Sequence, residues 1–358
     1  MIKLTFYPDW EMRETEHLAL FKLFFLLFLF NFNSFLHPQV YPESRVDSLL
    51  MASISHIIKQ DYFAAEVFIN SLNDEFPHLP LGKIYLAANK IAEAYDYAKR
   101  FDEAQIVEYL EDAKEQAEKL LEKDEENLWY RYFYALSEGY ISYFDAINGS
   151  WLSAVSTGVN SISEFEKILA IDRNFYEAYI AIGTFEYWRS RKTEFMNWMP
   201  FVNDTKKIGI ERLEIASDSS SYNSYLAVNS LIWIYIDQKN YYAAIQTAKD
   251  ALVNFPASRS FKWGMARAYE EIDSQTAIKL YEEILNSYPG WLNPNHINQI
   301  TLKHLIAQQF LKLGKTEEAL KICEEILIIK NLSDYSKEIL GNRLERIKSL
   351  RDELKSGH

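Results

Sequence analysis

The chain has 358 residues, of which only 11 are glycine and 9 are proline, while 48% are apolar and 25% are charged. Sheets and loop-rich folds use glycine and proline in their turns, so this composition indicates long helices with short connections and argues against Rossmann, barrel and sandwich folds. Aromatic residues make up 15% of the chain, which excludes intrinsic disorder. A net charge of −13 disfavours nucleic acid as a partner, because phosphate binding needs a basic surface.

Residues 1–42 are predicted to be a signal peptide or a membrane anchor. Residues 18–36 read LALFKLFFLLFLFNFNSFL, and the apolar run from Leu23 to Phe30 is shorter than the roughly 20 residues of a membrane span. A cleaved signal, a retained anchor associated with the membrane through residues 18–36, and a buried first helix all remain open. In the first two cases residues 43–358 form an exported bacterial domain, either periplasmic or membrane-associated.

Residues 225–256 carry large, small and helix-ending residues at regular spacing. Counted from Tyr225, these are Leu231, Tyr235, Tyr241, Ala244, Ala248, Ala251 and Pro256 at positions 7, 11, 17, 20, 24, 27 and 32. Small residues let two helices approach closely, and proline ends the second helix because it has no amide hydrogen to donate. The segment closely resembles a tetratricopeptide repeat, which is a pair of antiparallel helices.

The same spacing recurs elsewhere in the chain. Ala65 and Pro77 occupy positions 20 and 32 of residues 46–77, and Pro289 follows Pro256 by 33 residues. In residues 300–331, Ala319 takes position 20 and Cys323 takes position 24. We therefore predict Cys323 to be a buried core thiol, since small buried residues are usual there.

Residues 80–124 and 128–172 are predicted to form longer hairpins, which turn near residues 100–102 and 148–150. Such long pairs resemble those of exported bacterial tetratricopeptide proteins. The resemblance implies an all-α solenoid of helical hairpins, wound as a right-handed superhelix. We predict six or seven helix pairs over residues 43–358, closed by a capping helix from Ser333 to Lys355.

Nothing in the sequence indicates catalysis. There is no Gly-rich phosphate loop, zinc-protease motif or nucleophile elbow. His296 and His304 lie eight residues apart but follow a turn-like Asn293-Pro294-Asn295 sequence, and adjacent glutamates point about 100° apart on a helix. We predict no catalytic residues, no metal and no cofactor, so the chain is not expected to be an enzyme.

The resemblance implies instead that the first helix of each repeat lines an inner surface that binds a protein or peptide partner. Positions 2, 5, 9 and 12 of each first helix would face that partner. Some members of the family bind acidic carboxy termini through a clamp of Lys and Asn on the inner helix faces. The corresponding positions here are Asn229 and Trp233, and neither is a lysine, so this mode of binding is not expected. The predicted inner-face contact residues are Asn229, Trp233, Trp263, Arg267, Glu270, His304 and Gln308.

Residues 189–204 interrupt the repeats with an insertion in which basic residues precede aromatic ones. A loop covering the adjacent helix pair, a protein contact and a membrane contact are the three interpretations. Its candidate contact residues are Arg189, Arg191, Phe195, Trp198 and Phe201.

The predicted function is a non-catalytic protein-interaction scaffold. A carrier of an apolar ligand or lipid is the first alternative, with the many Tyr and Phe residues of segment 129–188 lining a cavity between long helices. An enzyme of unrecognised type is the second alternative. The oligomeric state does not follow from the sequence.

Overall fold

The computed structural model describes residues 39–196, 203–288 and 296–356. Within these ranges the chain forms fifteen α-helices and one short 3-10 helix, Glu194–Met196, and no strand. No helix in the same ranges is sufficiently long and apolar to cross a membrane. The α-helices are α1 Ser44–Ile58, α2 Tyr62–Glu75, α3 Leu81–Asp96, α4 Glu103–Lys123, α5 Leu128–Ile147, α6 Trp151–Ile171, α7 Tyr176–Lys192, α8 Lys206–Ser219, α9 Ser224–Asp237, α10 Tyr241–Asn254, α11 Arg259–Tyr269, α12 Ser274–Ser287, α13 Ile297–Lys312, α14 Thr316–Leu327 and α15 Asp334–Ser356.

Each odd-numbered helix packs against the even-numbered helix that follows it, from the α1–α2 pair to the α13–α14 pair. Helix α15 then packs on α13 and α14. The described residues therefore contain seven hairpins and a closing helix, which confirms the predicted all-α array. The handedness of the superhelix and the signal or anchor at residues 1–42 stay predictions, and residues 1–38 lie outside the described part.

Equivalent turns connect the two helices of several hairpins. Gln60, Lys239 and Gly314 each adopt a left-handed backbone, with φ of 56°, 58° and 72°, just after the first helix of a pair. Such a residue ends a helix by directing the chain away from its axis. Asp61 and Asn240 then cap the second helix by accepting a backbone hydrogen bond from Ala64 and Ala243, respectively.

Small residues lie where the hairpins close, as the repeat spacing predicts. Ala65, Ala244 and Ala319 are fully buried on the second helices of their pairs. Cys323 is also fully buried, and burial raises the pKa of its thiol, so its prediction as a core residue is confirmed.

The insertion begins later than predicted. Helix α7 continues through Lys192, so the basic residues form its last turn rather than a loop. Positive side chains stabilise a helix at its carboxyl end, where the helix dipole is negative. Arg191 adds ion pairs of 2.8 Å with both Asp237 and Glu194, which fix this turn.

Polar contacts join the amino-terminal ends of five odd-numbered helices. Buried Glu177 at the start of α7 accepts hydrogen bonds from the Tyr222 backbone N at 2.8 Å and from Asn223 Nδ2 at 2.9 Å. Asn223 precedes α9, and its side chain also contacts Tyr85 of α3 and Tyr132 of α5 at 3.2 Å. The Tyr222 hydroxyl donates to Asp47 of α1 at 2.7 Å. Side chains far apart in sequence thus satisfy one buried polar cluster.

A buried ion pair makes a second long-range connection. Asp96 at the end of α3 pairs with Arg259 at the start of α11, with Arg259 Nε at 2.8 Å from Asp96 Oδ1. The Arg259 guanidinium lies between the rings of Tyr97 and Tyr288, at 5.4 and 4.6 Å from their centroids. Asn298 of α13 donates to the Asp96 carbonyl at 2.7 Å. Helix α3 therefore lies against the amino-terminal ends of α9, α11 and α13.

Replacing Ala244 by leucine should lower the free energy of unfolding by about 1 to 3 kcal/mol, because the added atoms overfill a closed helix contact. Denaturant titration followed by circular dichroism measures the change. Ala104→Leu on the exposed side of α4 is the matched control and should change stability by less than about 0.5 kcal/mol. Equal effects at the two sites would contradict the repeat spacing.

Replacing Arg259 by methionine should cost about 3 to 5 kcal/mol, because Asp96 would stay buried without its counter-ion. Arg45→Met is the control: it breaks a 2.7 Å ion pair with Glu75, but both side chains are exposed, so a much smaller loss of stability is expected. The same denaturant titration compares the two variants. A small effect at Arg259 would show that the α3–α11 contact does not hold the array together.

Candidate partner-binding face

Odd-numbered helices of consecutive hairpins contact one another along one side of the array. Thr184 of α7 donates to Ser230 of α9 at 3.2 Å. Ser260 of α11 donates to Asn229 of α9 at 3.0 Å, and Lys312 of α13 donates to the Glu270 carbonyl after α11 at 2.8 Å. Arg343 of α15 contacts His304 of α13 at 3.1 Å. These helices therefore form a continuous face.

Three of the predicted contact residues are accessible on this face. Trp233, Arg267 and Gln308 all occupy position 9 of the first helix in their repeats, and we call them the position-9 row. Trp233 is 37% exposed, the Arg267 side chain is 40% exposed, and Gln308 is exposed. Three residues selected from the sequence are therefore exposed to solvent, one on each of three consecutive odd helices, and their contact with a partner stays a prediction.

The other four predicted inner-face residues are engaged within the protein. Asn229 contacts Ser260, and half-buried Trp263 packs edge-on against Tyr281 with 5.6 Å between ring centroids. Glu270 is buried, and its carboxylate accepts hydrogen bonds from Tyr281 and Arg267. These bonds are 2.6 and 2.7 Å long, respectively.

His304 is only 2% exposed. Glu270 and His304 are therefore covered within the protein rather than accessible on the face. Helix periodicity gives the direction of a side chain but not which neighbouring helix covers it.

Arg343 of the closing helix was not among the predicted residues, yet it contacts the face. Its guanidinium donates to His304 Nδ1 at 3.1 Å. Burial lowers the pKa of His304 to about 4, and the positive charges of Arg343 and Arg346 contribute. His304 is therefore neutral at pH 7 and can accept this hydrogen bond. The sequence showed only a charged helix at residues 333–355, with no sign of which neighbour it would meet.

The insertion residues have different environments. Arg191 is held by its two ion pairs, whereas Arg189 is exposed and lies 5.2 Å from the centroid of the Phe185 ring. Phe195 is 76% exposed. Trp198 and Phe201 lie outside the described residues, so a loop cover, a protein contact and a membrane contact stay open for the insertion.

An exposed apolar face on α6 was missed by the sequence analysis. Trp151, Leu152, Val155 and Val159 are all exposed, with Leu152 at 91%. Segment 139–163 contains a single charged residue, Asp145, in a chain that is 25% charged. That charge depletion was the signal that could have indicated the face.

The aromatic residues of segment 129–188 pack largely on one another. Trp129 contacts Tyr132 and Phe175 edge-on, with centroids 5.7 and 5.0 Å apart. The carrier hypothesis required such rings to line a cavity, and in these contacts they instead fill the space between helices. An open notch of about 340 Å³ lies beside this cluster, lined by Tyr41, Pro42, Glu43, Asn127, Trp129 and Tyr130.

Within residues 39–196, 203–288 and 296–356, no group of three or more His, Cys, Asp or Glu side chains is arranged to hold a metal ion. His296 contacts Gln299 at 2.8 Å, while His304 faces Arg343. His296 and His304, whose spacing was considered for a metal pair, therefore contact different residues.

The depressed pKa of His304 predicts a specific loss of stability in acid. The unfolded chain binds a proton at His304 near its ordinary pKa of 6.5, whereas the folded chain binds it only near 4. Stability should therefore fall as the pH drops from about 6.5 to 4. His304→Gln should reduce that fall, as measured by urea unfolding at several pH values. His78→Gln, which alters a histidine in the turn before α3, is the control, and an identical pH profile for all three proteins would contradict the assignment.

Comparison with known proteins gives one family and a general structural likeness. Residues 262–290 match the family model described as tetratricopeptide repeat, and no curated protein matches the chain. A tetratricopeptide repeat protein from Parabacteroides merdae is 13% identical with a TM-score of 0.37, over 85% of this chain and 99% of that one. The Cut9–Hcn1 hetero-tetramer of APC/C is 16% identical with a TM-score of 0.44, over 84% of this chain and 48% of that one.

The matched segment begins within α11 and includes all of α12, so it covers most of one hairpin of the array. It is also the repeat that ends at Pro289 in the predicted spacing. The exported long-helix subtype is not tested by this match and stays a prediction. Residues 262–290 of this chain are therefore similar to a tetratricopeptide repeat.

Proposed function

We propose that the protein is a non-catalytic scaffold that binds a protein or peptide partner on the face of its odd-numbered helices. The position-9 row carries this proposal. Trp233, Arg267 and Gln308 are accessible at equivalent positions of consecutive hairpins, so an extended partner could contact all three. Tryptophan and arginine are also the residue types that most often dominate binding energy at protein interfaces.

The rigidity of the face favours binding with little ordering cost. Half-buried Asn229 and Trp263 and buried Glu270 and His304 hold their helices in place from beneath or beside the accessible row. A surface whose side chains are already positioned loses less conformational entropy when it binds. The residues that were expected to touch the partner thus support the proposal in a positioning role.

We further propose that the domain acts outside the cytoplasm, delivered there by residues 18–36. Support comes from the apolar run Leu23–Phe30. The partner would then be a bacterial protein that is exported by the same route.

Site-specific photocrosslinking in living cells tests the proposed face. A photoreactive phenylalanine analogue at Gln308, and separately at Trp233, should yield one shared crosslinked product after irradiation. Neither position is fully buried, so the analogue should be tolerated. Mass spectrometry of the product would identify the partner.

Val253 and Tyr242 provide the matched control positions. Both lie on α10, an even-numbered helix, and they are 79% and 75% exposed. The proposal expects little or no shared product from them. If Val253 and Tyr242 gave the shared product and the position-9 row did not, the partner would bind the opposite side and the proposed face would be wrong.

A further inference from the structure

An open notch of about 340 Å³ lies where the start of α1 meets the start of α5. Aromatic side chains provide three of its six lining residues. We call it the aromatic notch, and it is lined by Tyr41, Pro42, Glu43, Asn127, Trp129 and Tyr130. It includes no residue of the position-9 row, so what it binds is independent of the scaffold proposal.

The aromatic walls of the notch are held in place by contacts behind them. The rings of Tyr41 and Trp129 meet edge to face, with 5.5 Å between their centroids and 78° between their planes. The Tyr41 backbone N donates to the Tyr222 hydroxyl at 2.7 Å, and the Trp129 ring packs against Phe175 with 5.0 Å between centroids. Both walls are only half-buried, so part of each ring stays open to the notch. Two nearly perpendicular rings thus form a fixed corner.

Glu43 places an unpaired negative charge at this corner. Although it immediately precedes α1, its carboxylate neither caps that helix nor forms an ion pair within the described ranges. The basic residues nearest to the notch in sequence are engaged elsewhere. Arg45 pairs with Glu75, and Arg131 pairs with Glu164, each at 2.7 Å.

The charge of Glu43 acts on the aromatic side chains of the notch. Burial raises the pKa of the Tyr41 hydroxyl to about 12, and neighbouring Tyr130 and the Glu43 carboxylate add to the rise. Aromatic ring faces and carboxylates both attract positive charge. The aromatic notch therefore favours a cation over a neutral or anionic ligand.

The shortage of free hydrogen-bond acceptors indicates which kind of cation fits. A primary ammonium group carries three donors that need acceptors. The side-chain oxygen of Asn127 already accepts from the backbone N of Trp129 and of Tyr130, at 3.1 and 3.2 Å. A quaternary ammonium group has no hydrogen to donate, and aromatic faces are the surfaces that commonly bind it.

We propose that the aromatic notch binds a quaternary ammonium group, with Tyr41, Trp129 and Tyr130 supplying ring faces and Glu43 supplying the counter-charge. The volume of about 340 Å³ lies within the usual range of small-molecule sites. Free choline and the headgroup of phosphatidylcholine both carry this group.

Isothermal calorimetry of choline with the full-length protein tests the proposal. Physiological ionic strength screens general attraction to a protein whose net charge is −13. Choline should bind about tenfold more tightly than the neutral alcohol in which a tert-butyl group replaces the trimethylammonium group. It should also bind more tightly than ethanolamine, which carries the same charge on a primary ammonium. Absence of choline binding, or equal binding of either analogue, would overturn the proposal.

Glu43→Gln should weaken choline binding about fivefold, because it removes the counter-charge and keeps the size of the side chain. Glu103→Gln removes the same charge from an exposed position at the start of α4 and should change affinity less than about twofold. Equal affinities of the two variants would show that Glu43 has no specific role and overturn the site.

Tyr130→Leu should weaken choline binding about fivefold, because it removes one ring face, whereas Tyr130→Phe keeps the ring and should stay within about twofold of the unaltered protein. Tyr242→Leu is the control, since it removes a ring that is 75% exposed on α10. Thermal melting followed by circular dichroism checks that each variant folds. Unchanged binding in Tyr130→Leu, or an equal loss in Tyr242→Leu, would contradict the aromatic notch.

Vesicle sedimentation distinguishes the two sources of the group. Sedimentation with phosphatidylcholine but not with phosphatidylglycerol vesicles, reversed by free choline, would identify the lipid headgroup as the ligand. Choline binding without sedimentation would identify a free compound. Crosslinking at Trp233 and Gln308 does not depend on the notch, so either proposal can fail while the other stands.

Discussion

The buried ion pair between Asp96 and Arg259 is the constraint on which the rest of the array depends. A helical-repeat protein needs contacts only between neighbouring hairpins, yet this pair joins the second hairpin to the sixth. The rings of Tyr97 and Tyr288 enclose the guanidinium, and Asn298 and Tyr62 satisfy further oxygens of Asp96. Because a buried charge without its partner is strongly unfavourable, the pair permits one relative position of these hairpins.

That position determines which part of the odd-numbered helices remains available. Helix α3 lies against the amino-terminal ends of α9, α11 and α13, where Asn223, Arg259 and Asn298 are engaged. The position-9 row lies further along the same helices and stays accessible. The candidate face is thus a surface left open after the first hairpins have covered the amino-terminal ends.

The charge distribution gives this face its chemical character. Most acidic residues of the chain are exposed or paired on the surface, as in the ion pairs Arg45–Glu75 and Lys83–Asp112. Half-buried Arg343 is a different case, because its guanidinium contacts the neutral side chain of His304. The apolar face of α6 is a separate surface with no such charge.

The hairpins follow from local spacing in the sequence: Ala65, Ala244 and Ala319 are spaced for close helix packing, and short-range geometry suffices to place them inside. It also determined that Trp233, Arg267 and Gln308 share one helix position, because helical periodicity is local. Tertiary structure alone decided that Glu270 and His304 are covered and that Arg343 joins them. Those outcomes depend on contacts between residues about 10 to 160 positions apart, whose pairing no local spacing encodes.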